Sequence, residues 1–69
     1  MPKQRGRIKW YNSRKQYGFI VTDRAQEVFF HQKQLLVGKS TPQEGQAAQF
    51  HVRRALKGLE ALNVELIAR

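Results

Sequence analysis

The sequence predicts a small all-β barrel built from five short strands, and three observations lead to this fold class. Apolar and polar residues alternate in five short stretches that are separated by turn residues. The chain has no internal repeat and no long helical pattern, which favours one barrel over layers joined by crossovers. Its 69 residues contain no cysteine, so a single compact core must stabilise one domain over residues 1–69 without disulfides.

The first three strands fill the first half of the chain. In residues 6–12, Ile8 and Trp10 alternate with charged and polar residues, and a turn follows at Asn12. Residues 17–22 are rich in aromatic and β-branched side chains and form the second strand. Residues 27–31 alternate in the same way and form the third.

The second half begins with a less regular stretch, residues 32–45, where a helical turn followed by a loop fits the composition. Strand four covers residues 46–53, and a turn at 55–58 leads to strand five at residues 60–67. The apolar positions of strand five are Leu62, Val64 and Leu66. A helix over 59–68 is the alternative, because Glu, Ala and Leu are good helix formers. Five such strands fit an OB barrel and an SH3-like barrel almost equally well.

Charge gives the first indication of a partner. The chain has 13 Lys and Arg against 5 Asp and Glu, a net charge of +8, and no acidic residue precedes Asp23. This balance favours a partner rich in negative charge, although a solvated basic surface would look the same. No apolar stretch suggests a membrane span or a signal peptide. We therefore expect a soluble, cytoplasmic protein.

Aromatic residues concentrate in the first three strands, where six of the seven lie. In strand two, Tyr17 and Phe19 occupy the face opposite Ile20, and in strand three Phe29 and His31 again lie opposite the apolar core positions. Exposed rings beside cations can stack on unpaired bases while the cations neutralise phosphates. The alternative is that these rings form the barrel core.

Catalysis is not indicated. His31 and His51 fall on different strands, and no spacing resembles a metal site or a nucleophile with its base. We therefore expect no catalytic residue, metal, cofactor or small-molecule substrate. A barrel that binds a protein through its exposed rings remains a rival, as does a role as one module of a longer protein.

Three motifs carry a resemblance to a known family. Residues 6–12 (GRIKWYN), 15–20 (KQYGFI) and 28–31 (VFFH) resemble the N-terminal segments of cold-shock domains, the last two being their RNP1-like and RNP2-like motifs. The resemblance extends over nearly the whole chain. It implies a five-stranded antiparallel OB-fold barrel that binds single-stranded RNA or DNA as a monomer, with an RNA chaperone role in stress. By position it marks eight contacts with nucleic acid: Lys9, Trp10, Lys15, Tyr17, Phe19, Phe29, His31 and Lys57.

The chain also departs from the family pattern. Gln16 occupies a position that is usually glycine, and Gln32 replaces a common aromatic residue. The loop over residues 36–44 has no aromatic residue where many relatives carry one, and Leu59 replaces a frequent proline. With fewer rings and more cations, we expect fewer stacked bases, weaker base preference and steeper salt dependence.

Overall fold

The structure is a computed structural model that describes residues 3–36 and 41–67. It contains five strands and one short 3-10 helix in the order β1 (Gln4–Asn12), β2 (Tyr17–Thr22), β3 (Glu27–His31), the 3-10 helix (Gln32–Gln34), β4 (Ala47–Ala55) and β5 (Gly58–Leu66). Each predicted strand is present, and the helical turn lies directly after β3 as expected. The loop over residues 36–44, which has no aromatic residue where many relatives carry one, is described only in part, because residues 37–40 lie outside the described residues.

The strands close into a barrel in the order β1-β2-β3-β5-β4, with β1 and β4 completing the circle. Four of the junctions are antiparallel, and the β3–β5 junction is parallel, with Phe29 opposite Glu60. This closure confirms the five-stranded OB-type barrel that the family resemblance implied. Because closure gives every strand a neighbour on both sides, most of the backbone hydrogen-bonding groups of the sheet are paired.

The barrel interior is filled by apolar side chains from every strand. The buried core consists of Ile8, Ile20, Val28, Phe30, Ala48, Phe50, Ala61 and Val64. Each large member contributes roughly 1.5–3 kcal/mol through its transfer from water. A core of this kind makes the barrel rigid, and its outer surface is a fixed platform for other side chains.

Strand five corrects two expectations. Residues 58–66 form a strand, so the helical alternative for 59–68 is wrong over the described residues. Ala61 and Val64 are both buried although they are three residues apart, because Asn63 has a left-handed backbone (φ +52°) that interrupts the alternation. Leu62 is therefore outside the buried core, contrary to its predicted place beside Val64 and Leu66.

Gly18 allows β1 and β2 to approach closely beneath the aromatic residues. A Cβ atom at this position would collide with the carbonyl oxygen of Trp10 and press on the ring of Phe30. The glycine is therefore required by the neighbouring strand and by the core, whichever ligand the outer face receives.

Candidate nucleic-acid interface

Four aromatic rings form a continuous array on the outer surface of β1, β2 and β3, and we call it the aromatic face. It consists of Trp10, Tyr17, Phe19 and Phe29. The ring centroids lie 5.4 Å apart for Trp10 and Phe19, and 5.8 Å apart for Phe19 and Phe29. Tyr17 lies 5.7 Å from Trp10 and 5.6 Å from Phe29, so the four rings contact one another in a closed circuit. The alternative that Tyr17, Phe19 and Phe29 form the core is wrong, since all three are half-buried and outside it.

Trp10 reaches this face because β1 contains an irregularity. Ile8 pairs with Ile20, but Trp10 pairs with Phe19, so Lys9 is an extra residue in the ladder. Simple alternation would place Ile8 and Trp10 on the same face. The bulge instead keeps Ile8 in the core and turns Trp10 outward.

Tyr11 returns to the inner side directly after the bulge. Its ring stacks on Phe30, with centroids 5.8 Å apart and planes 17° apart, and it packs against the core. The two neighbouring aromatic residues of β1 therefore have different environments: Trp10 belongs to the aromatic face and Tyr11 supports the barrel.

His31 extends the aromatic face at the end of β3, where it pairs with Tyr17 across the ladder. Its Nδ1 accepts a hydrogen bond from the backbone N–H of Lys33 at 3.1 Å and so caps the 3-10 helix. This contact fixes the ring orientation and leaves Nε2 to carry the proton when the imidazole is neutral. That His31 also stacks on a base stays a prediction.

The turn between β1 and β2 positions Tyr17 and exposes Lys15. The Oδ1 atom of Asn12 accepts hydrogen bonds from the backbone N–H groups of Arg14 and Lys15, at 3.0 and 3.1 Å. Gln16 then adopts a left-handed conformation (φ +62°), which explains why glycine is usual at this position. The carbonyl oxygen of Gln16 accepts a hydrogen bond from the backbone N–H of Gln32 at 2.9 Å, which links two of the positions where this chain departs from the family pattern.

A groove of about 550 Å³ adjoins the aromatic face where β3 meets the β4–β5 hairpin. Its lining residues are Phe19, Glu27, Phe29, Ala55, Leu56, Lys57, Gly58, Leu59 and Glu60. The closure of the barrel thus brings Lys57 beside two rings from which it is far in sequence. Leu56 is fully exposed at the hairpin tip, and Leu59 packs partly against the core.

Two of the groove residues are acidic, and each carboxylate forms an ion pair. Lys9 Nζ lies 2.6 Å from Glu27 Oε2, and Arg53 Nη2 lies 3.0 Å from Glu60 Oε1. These partly exposed pairs each contribute about 0–1 kcal/mol to stability. The sequence reasoning missed both acids and Arg53, because only the barrel pairing places them beside the rings.

The three lysines that the family resemblance marked as contacts therefore have different environments. Lys57 lines the groove, Lys15 is exposed in the turn before Tyr17, and Lys9 is engaged by Glu27. Within residues 3–36 and 41–67, no group of acidic and histidine side chains is arranged to hold a metal ion. Over the same ranges, no helix combines the length and apolar character that a membrane crossing needs.

Comparison with known proteins gives consistent matches. The family model for the "Cold-shock" DNA-binding domain matches residues 4–67. A cold shock-like protein of Thermotoga maritima is 38% identical over 64 residues, which cover 91% of this chain and 97% of the relative. The cold shock-like protein CspA of Stigmatella aurantiaca is 44% identical over 64 residues, covering 90% and 94%.

A solved structure also supports the fold. The Drosophila Unr CSD456 structure superposes with a TM-score of 0.80 at 19% identity. The match covers 97% of this chain, which spans 27% of that longer chain. At this identity the likeness concerns the fold of the barrel.

Proposed function

The chain belongs to the cold-shock domain family, whose members are nucleic-acid-binding and non-enzymatic, and from this premise we propose that it binds unpaired RNA and DNA through the aromatic face. The proposed role is that of an RNA chaperone, which holds single strands and so disfavours their secondary structure. We further propose that the protein acts as a cytoplasmic monomer, without catalysis, cofactor or small-molecule substrate.

The observation that carries this proposal is the continuous outer array of four rings. Half-buried rings on a rigid sheet present flat apolar faces to solvent, and each base that stacks on such a ring gains about 1–3 kcal/mol. The backbone of a single strand can follow these rings, whereas paired bases in a duplex are already stacked and cannot reach them. Single strands are therefore the ligand that this surface fits.

Charge around the face supports the same ligand. Exposed cations lie in the turn before β2, in the 3-10 helix and in the β4–β5 hairpin, where they can meet phosphates. The contacts we propose are Lys9, Trp10, Lys15, Tyr17, Phe19, Phe29, His31 and Lys57. Because phosphate contacts carry no base information, the binding tolerates many sequences.

The test uses Trp10, the single tryptophan of the chain, as a fluorescent reporter. A short oligothymidine should quench its emission, and a hairpin duplex of matched length should quench it much less. The Phe29→Ala variant should bind the single strand about tenfold or more weakly, since it removes one stacking ring.

Val21→Ala is the matched control, because Val21 is a half-buried β2 residue outside the ring circuit. It should keep wild-type affinity for the single strand. Equal binding of strand and duplex, unaffected by Phe29→Ala, would contradict the proposal. It would leave either charge alone or a protein partner as the explanation for the exposed rings.

A further inference from the structure

The tip of the β4–β5 hairpin carries an inference that rests on the proposed function and concerns the point where a single strand adjoins a duplex. We propose that Leu56 is a strand-separating wedge. While the aromatic face holds the unpaired strand, Leu56 inserts at the first base pair of the adjoining duplex and opens it. The ligand of this site is a junction between a single strand and a duplex.

The exposure of Leu56 is the first support. Among residues 3–36 and 41–67, Leu36 and Leu56 are the large apolar side chains that are exposed to solvent, and Leu56 is the one that is completely exposed. Leu56 also has no part in the buried core. Leucine is one of the apolar residues that proteins insert between base steps, which unstacks the bases. Leu56 is therefore free for that role.

The position of the hairpin tip relative to the aromatic face is the second support. Leu56 lines the groove together with Phe19 and Phe29. A strand that stacks on these two rings and continues along the groove therefore passes the tip. Where that strand enters a duplex, the first base pair meets an apolar side chain that projects into solvent.

The hairpin holds its tip in a fixed place. Leu56 and Lys57 alone connect the two strands. Near the tip, Arg53 on β4 and Glu60 on β5 lie opposite each other in the ladder and form an ion pair at 3.0 Å. Leu59 packs partly against the core and so anchors the hairpin to the barrel. A short connection with such an anchor resists displacement, as a wedge between bases must.

Cations on both sides of the tip fit the two strands of an opened duplex. Lys57 lines the groove, where it can meet a phosphate of the strand that the aromatic face holds. Arg54 is exposed, does not line the groove and forms no ion pair within residues 3–36 and 41–67. Its guanidinium is available to the phosphates of the displaced strand. The tip thus offers an apolar contact to the opened bases and a positive charge to each backbone.

The experiment follows the first base pair of a short DNA duplex that carries a single-stranded oligothymidine tail. The fluorescent base 2-aminopurine, placed in that pair, brightens when the pair opens and the base loses its stacking. Duplexes with a 5′ tail and with a 3′ tail are both tested, and saturating wild-type protein should brighten at least one of them. A blunt duplex of the same sequence should not brighten, because no single strand there brings the tip to the pair.

The variants separate the wedge from the binding of the tail. Leu56→Ser should bind oligothymidine as tightly as the wild-type protein does, but the equilibrium constant for opening should fall about fivefold, since burial of part of a leucine side chain is lost. Leu56→Met keeps an apolar side chain and should retain the opening. Leu36→Ser is the matched control: it removes the other exposed leucine, at a site outside the groove, and should change neither property.

Arg54→Gln tests the contact with the displaced strand. It should reduce the opening of the tailed duplex and leave the affinity for oligothymidine unchanged, because the charge it removes does not face the held strand. A loss of oligothymidine affinity as large as the loss of opening would contradict this assignment of Arg54.

An opening that Leu56→Ser leaves unchanged would overturn the inference. Equal opening of tailed and blunt duplexes would also overturn it, and so would no opening with either tail. The proposed function is judged separately, by the binding of oligothymidine and its weakening in Phe29→Ala. If oligothymidine binds in this way while the pair stays closed, the wedge fails and the proposed function stands. If oligothymidine does not bind at all, the proposed function itself fails.

Discussion

Phe29 and Phe30 are neighbours on β3, yet they lie on opposite faces of the barrel wall and have different roles. Phe30 is fully buried in the core, where Tyr11 stacks on it, while Phe29 is half-buried on the aromatic face between Tyr17 and Phe19. The same side chain thus stabilises the fold on one side and is available to a ligand on the other. Phe29 and the other outer rings lie outside the buried core, so the stability of the barrel depends on them much less than on Phe30.

The largest effect should come from the inner residue of this pair. Phe30→Ala removes a fully buried ring from the core, and we expect the free energy of unfolding to fall by about 3–5 kcal/mol. Thermal or denaturant unfolding measures the loss. Phe29→Ala should lower the unfolding free energy by much less. An equal loss in both variants would contradict the assignment of Phe30 to the core and of Phe29 to the outer surface.

Salt should weaken the binding of single strands next most strongly. About five phosphate contacts around the aromatic face give a log–log slope near −3.5, which is roughly a hundredfold loss of affinity between about 50 and 200 mM salt. Titrations of Trp10 fluorescence at several salt concentrations give the slope. A slope shallower than about −1.5 would mean that the rings dominate and that the cations have little part.

A smaller change should appear in stability at the turn that precedes the aromatic face. Gln16→Gly relieves a left-handed conformation that glycine adopts freely, and we expect the unfolding free energy to rise by about 0.5–1 kcal/mol. The same substitution at Gln26, which lies outside the left-handed region, should lower it by a similar amount. Stabilisation by both changes, or by neither, would argue against strain at Gln16.

The smallest effect should be on single-strand affinity when one cation is removed, and its size should depend on where that cation lies. Lys57→Gln removes a charge from the groove, so single-strand affinity should fall about threefold at low salt and the slope should flatten by about 0.7. Arg24→Gln removes the same charge from the turn between β2 and β3, at the end away from Tyr17, and should change neither. Equal effects would show that net charge matters and position does not.

Much of the fold could be predicted from the sequence, because alternation is a local property of each strand. The separation of Tyr17 and Phe19 from Ile20, and of Phe29 from Phe30, followed directly from the period of two and is confirmed. Alternation by itself fails where one residue breaks the period. The Lys9 bulge turns Trp10 outward, as the family resemblance implied and the period of two did not, and the left-handed Asn63 leaves Leu62 outside the core that contains Val64.

The local pattern of residues and the motifs were enough to predict the class of the barrel, its five strands, the family resemblance and most of the aromatic face. The three-dimensional structure was needed to show the bulge that turns Trp10 onto that face, the groove that Lys57 lines together with Phe19 and Phe29, and the paired carboxylates of Glu27 and Glu60 in the same groove. The reason is that the face on which a side chain lies follows from the alternation along its own strand, which adjacent residues set. Contacts across the β3–β5 junction instead depend on barrel closure, which joins segments that no local pattern relates.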